Sequence, residues 1–169
     1  METCTGGLGL TIGEARLVPP ARTLVSRPAL SQWITPQELE TLRETLSRGC
    51  LPLDLIGKLK RLSKGDLSEH FIEQNCRLFA ALLVAAEDGS FREGSRAERE
   101  RLLRALAYVR KDDDAIPDYR PDGFADDQRE MRAVTVELGA LLKAFKAWRL
   151  RHQVPAMWSN QVCRPVPAN

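Results

Sequence analysis

Histidine is nearly missing from this chain of 169 residues, which holds only His70 and His152. Acid–base catalysis near neutral pH draws on histidine more than on any other side chain. Neither residue has a nucleophile or an orienting partner that spacing ties to it. His70, beside Glu69, reads as a surface residue, and His152 as a cation suited to the negative end of a helix. Cysteine is sparse as well: Cys4, Cys50, Cys76 and Cys163 are far apart, with no Cys-x-x-Cys and no Cys/His spacing fit for zinc. That pattern argues against a structural metal and against a disulfide scaffold. It leads to an expectation of free thiols in a reducing, bacterial-type cytoplasm, with Cys76 as a buried, inert thiol.

An excess of one charge is also missing. Against 25 Lys and Arg stand 23 Asp and Glu, so no global field favours nucleic acid, an anionic membrane or an acidic substrate. The longest apolar run, Leu78 to Ala86, falls far short of the roughly 20 residues that span a bilayer. Glu2 stands where a signal peptide would carry positive charge. The expectation is therefore a cytoplasmic protein, neither secreted nor membrane-spanning. Strand-type alternation and long internal repeats are absent too. Gly6-Gly7-Leu8-Gly9 lacks the preceding strand, the following helix and the lysine of a phosphate-binding loop. No cofactor is implied.

What the chain does have is helical punctuation. After an irregular arm over residues 1–32, Thr35, Pro36 and Glu38 form the start of a helix with the stripe Leu39, Leu42 and Leu46. Pro52 opens a second helix with Leu55, Ile56, Leu59 and Leu62 on one side, while Lys58, Lys60, Arg61 and Lys64 cover the rest. Ser68 can cap a third, whose apolar residues widen into the run Leu78 to Ala86 and mark it as the central helix. Ser95 and Glu98 open a fourth, carrying Leu102, Leu103, Leu106 and Val109. A last long helix from about Asp126 to His152 bears Met131, Val134, Leu138, Leu141, Leu142, Phe145 and Trp148. The fold class expected is all-α: a single bundle of about five helices over residues 33–158, its core made mostly by the third and fifth, with an irregular tail over 159–169.

Between the fourth and last helices lies an acidic elbow. Seven aspartates fall between Asp112 and Asp127, around Ile116, Pro117, Pro121 and Gly123. Each proline fixes its own φ and pushes the preceding residue out of the helical region, so a definite bend is encoded. Three uses are open to it. It can be purely structural, with Asp114 accepting backbone amides, Gly123 taking a positive φ and Asp126 capping the last helix. It can gather Asp114, Asp118, Asp126 and Asp127 around a divalent cation, although no recognised loop geometry is spelled out. Or it can be a face for a protein partner.

The run Asp114-Ala115-Ile116-Pro117-Asp118, with Pro121, Gly123 and Asp126-Asp127 behind it, resembles the YkvA-like family, a widespread helical domain of unknown function. The hallmark of that family is a helix, an Asp-x-Ile-Pro-Asp turn, a proline, a glycine and an Asp-Asp pair opening a second helix. The likeness spans Leu102 to Leu142 and implies a small helical protein, in some members membrane-associated, without an assigned activity. This chain departs from the pattern in having one residue between Pro121 and Gly123 where two are common. It also carries Arg120 and Asp122 in a stretch that is usually apolar. Charged side chains there suit water better than lipid.

Basic residues crowd the last helix, with Lys143, Lys146, Arg149 and Arg151 around Phe145 and Trp148. The rings continue the core stripe and the charges suit the helix dipole, so nucleic-acid binding is disfavoured. The function expected is a non-enzymatic interaction or adaptor module that presents Asp114, Ile116, Pro117, Asp118, Pro121, Asp122, Gly123, Asp126 and Asp127 to a protein partner. The alternatives are a divalent-metal-dependent hydrolase using the clustered aspartates and a peripheral membrane protein.

Overall fold

A computed structural model of the chain describes residues 34–152, so the arm over 1–32 and the tail over 159–169 lie outside the described residues. All regular structure within that range is helical: α1 Pro36–Ser47, α2 Leu53–Leu62, α3 Leu67–Glu87, α4 Arg96–Val109, α5 Ala125–Glu137 and α6 Gly139–Arg151. The capping signals act as the sequence spelled them. Thr35 with Glu38, and Ser95 with Glu98, each close a reciprocal capping box. These bonds satisfy amides that the first helical turn leaves without partners. At α3 the cap is Asp66, which accepts from the amides of Ser68 and Glu69, so Ser68 lies one turn-position inside.

The described residues hold six helices rather than about five, because the expected last helix breaks after Glu137. Leu138 sits at φ −105°, ψ 20°, and Gly139 opens α6. The apolar period runs straight through the break, from Val134 to Leu138 to Leu142, which conceals it in the sequence. Glycine costs about 1 kcal/mol relative to alanine inside a helix and weakens continuation here. Helix α6 carries Phe145, which lies 5.0 Å, edge to face, from Phe91, with Trp148 stacked on Phe145. Its Leu141 also packs onto Gly94, where an added Cβ would lie 2.9 Å from the Leu141 side chain and φ is +91°. Only glycine combines that backbone with that approach.

The core is centred on α3, which packs against α1, α2, α4 and α5, while α4 also packs against α1 and α5. Buried Leu102, Leu103, Leu106 and Val109 make α4 the second core helix, ahead of α6. Cys76 is buried and free, as expected. Cys50 departs from the expectation of free thiols, since it is disulfide-bonded. Spacing along a chain does not show which distant cysteines meet in space, and with this bond the argument from free thiols to a reducing compartment falls away. Among the described residues no helix is long and apolar enough to cross a membrane.

Candidate functional site

The elbow joins α4 to α5 as a chain of tight turns. Asp118 N donates to Asp112 O, Arg120 N to Pro117 O, Gly123 N to Arg120 O and Ala125 N to Asp122 O, each at 3.0 Å. Gly123 is needed for space rather than for an unusual backbone angle. A Cβ at Gly123 would stand 2.6 Å from the Asp118 carbonyl oxygen, far inside contact distance, and Gly123 is not among the positive-φ glycines.

Under these turns sits Lys58, 0% exposed. Its Nζ donates to the Lys111 carbonyl at 2.7 Å and to Asp118 Oδ1 at 3.0 Å. The same ammonium stands 2.8 Å from Asp127 Oδ2, an ionic contact out of line for a hydrogen bond, since neither Asp127 oxygen has a hydrogen-bond partner. The Phe124 ring lies 5.6 Å from it on another side. Arg61, one turn along α2, bridges Asp112 at 2.7 Å and Asp118 at 3.1 Å from the solvent side. Behind Lys58, Tyr108 donates its hydroxyl to Asp126 Oδ2 at 2.7 Å, and the Ile116 amide reaches the same oxygen at 3.2 Å. One buried knot therefore ties α2, the end of α4, the elbow and the start of α5.

Burial sets the electrostatics of the knot. It would lower the Lys58 pKa, but Asp127 and Asp118 outweigh it and hold that pKa above the ordinary value. Burial pushes Asp118 up to about 6 against the pull of Lys58, and raises Asp127 well above the usual carboxylate range. Asp114 is pushed up to about 7, first by burial and then by the charge of Asp126 beside it. The Tyr108 hydroxyl is raised by burial and by its bond to Asp126, which keeps it a donor.

The structure thus brings Asp114, Asp118, Asp126 and Asp127 together, yet turns them inward. Asp118 and Asp127 are occupied by the Lys58 ammonium, and among the described residues no set of three or more His, Cys, Asp or Glu is arranged to hold a metal ion. Asp114 accepts no backbone amide, since both its oxygens lack hydrogen-bond partners. Asp126 is not the cap of α5, because Phe124 holds that position and the Asp126 carboxylate is taken by Tyr108 and Ile116. The cause in both cases is tertiary: α2 and α4 supply donors that a local reading of turns does not contain. Ile116 and Pro117 are half-buried, while Tyr119, Arg120, Pro121 and Asp122 form an exposed tip, with Tyr119 at 85%. Asp112 and Asp113 are exposed as well.

Lys58 was read as part of a solvated face, and the structure corrects that. The signal was present in the sequence, since Lys58 falls three residues after Leu55 and four before Leu62, within the apolar stripe of α2. A lysine there must either snorkel out or find carboxylates inside. The charges that balance the elbow come from Lys58 and Arg61 on α2. On α6, Phe145 is buried in the core and so unavailable for stacking on bases. His152 stacks on Trp148 with ring centroids 4.9 Å apart. No family model, no curated protein and no solved structure matches the chain.

Proposed function

We propose that the chain is a non-enzymatic interaction module that docks a protein partner through the elbow tip of Tyr119, Arg120, Pro121 and Asp122. The observation that carries this reading is the contrast across a few residues. Tyr119 is 85% exposed while the turn beneath it is anchored by a lysine that is 0% exposed. A large aromatic ring held in water on a prearranged backbone loses little freedom when a partner covers it. Tyrosine and arginine are also the residue types that most often anchor interfaces. The inward carboxylates then serve as the mount, and the likeness to the YkvA-like elbow is read as a likeness of this mount.

A metal-dependent hydrolase has less support, because two of its proposed ligands, Asp118 and Asp127, are taken by Lys58 and the other two, Asp114 and Asp126, lie beneath the surface. The test is a photo-crosslinker placed at position 119 of the full chain, run beside Tyr119→Ala and Asp122→Lys in affinity purification. A partner that crosslinks at 119 and is lost in both variants, with helicity unchanged, is the expected result. A partner retained by both variants, or none crosslinking at 119, overturns the reading.

A further inference from the structure

The knot holds four buried carboxylates, Asp114, Asp118, Asp126 and Asp127, against the single buried ammonium of Lys58. Asp118 and Asp127 are paired with that ammonium, and Asp126 has two donors on one oxygen. Asp114 is 6% exposed and has no donor on either oxygen, while Asp126 Oδ1 is also bare. The Ile116 amide, two residues beyond Asp114, donates to Asp126 Oδ2 at 3.2 Å, so the turn that carries Asp114 is fastened to Asp126, and the charge of Asp126 helps to push the Asp114 carboxyl up. Two bare carboxylate oxygens cannot bond each other, and two adjacent buried carboxylates cannot both stay ionised cheaply. A metal ion would need a set of ligands that is not formed among the described residues. A proton needs only the pair itself.

We propose that Asp114 and Asp126 hold one proton from solvent between them, and that this proton is a latch fastening the elbow to α4 and α5. Asp114 carries it and donates to Asp126 Oδ1, which leaves Asp126 Oδ2 free to keep Tyr108 and the Ile116 amide. Loss of the proton returns a second negative charge to the pair and loosens the elbow. The charged and titratable groups that bear on the pair are Lys58 from α2, Tyr108 from α4 and Asp127 from α5, while Asp118 pairs with Lys58 and Arg61, and Asp112 with Arg61. Of these, only Lys58 and Arg61 oppose protonation, and Arg61 is directed at Asp112 and Asp118. The raised pKa of Asp114, about 7 against an ordinary 3.8, agrees with this geometry. Its sign is definite: the stabilisation is full below about pH 4 and is lost as pH rises through about 7.

The experiment follows the Asp114 side-chain carboxyl carbon by NMR in the full chain, alongside thermal melts of wild type and Asp114→Asn. A titration midpoint above about pH 6 is expected, and a midpoint at or below it overturns the proposal. Asp114→Asn offers a permanent donor to Asp126, so the fall in Tm between about pH 6 and about pH 8 is expected to be smaller than that of wild type, the remainder coming from Asp118 and Asp127. A fall equal to or larger than that of wild type overturns the proposal. If the variant does not fold, the carbon titration decides alone. Neither readout involves a partner, so failure here is separate from failure of the docking reading.

Discussion

At the residue scale, Lys58 shows how one side chain can decide whether an acidic stretch faces water or the core. Removing it would leave Asp118 and Asp127 buried beside each other without a counter-charge. Breaking a buried ion pair from one side costs about 3–5 kcal/mol, whereas replacing every member by neutral groups of similar size is often neutral. Lys58→Met is therefore expected to lower unfolding free energy in urea by about 3–5 kcal/mol. Adding Asp118→Asn and Asp127→Asn to it is expected to recover most of that loss. A single variant with wild-type stability would show that the knot contributes nothing to the fold. Gly123 belongs to the same scale, because the close pass of the Asp118 carbonyl excludes any Cβ.

At the scale of elements, the starts of α1, α3 and α4 are set by local side-chain bonds, whereas α2, α5 and α6 begin without one. Ser95 accepts from the Glu98 amide while Glu98 returns a bond to the Ser95 amide at 2.7 Å. These bonds hold the Glu98 carboxyl below the usual range. Since the N-cap residue contributes about 1 kcal/mol, Ser95→Ala should lower Tm by roughly 2–4 °C without altering the elbow. Amide exchange should show the loss confined to the first turn of α4, and loss of protection at Ile116 would contradict that. The break between α5 and α6 shows the opposite case. No cap or proline marks it, and α6 is held by Phe91, edge-on to Phe145 and tilted against Trp148, with Trp148 stacked on Phe145.

For the whole molecule, these groups combine into a pH profile. Glu38, held at about 2 by its hydrogen bonds to Lys111 and Thr35, contributes stability above its ordinary 4.5 that is lost as pH falls through about 2. Asp118 and Asp114 act in the other direction, their contributions being lost as pH rises through about 6 and about 7. Denaturation across a pH series should then give greatest stability at about pH 4, where the raised carboxyls are still protonated and Glu38 is ionised, rather than near the isoelectric point of 8.4. A maximum at about pH 8 would mean that the carboxylates of the knot titrate as exposed groups do.

The sequence alone determined the all-helical class, the starts of α1 and α4, the apolar stripes and the position of the elbow. Each of these depends on contacts or spacings within a few residues, where propensity, capping and periodicity act. Only the tertiary structure decided which way the aspartates point, that Lys58 lies beneath them, that Asp126 is taken by Tyr108, and that α5 and α6 part at Leu138. Those outcomes depend on residues far apart in the chain, from Ile116 and Asp126 to Lys58 and Asp127, meeting in a medium too dry to leave a charge unpaired, and no local pattern encodes such a meeting.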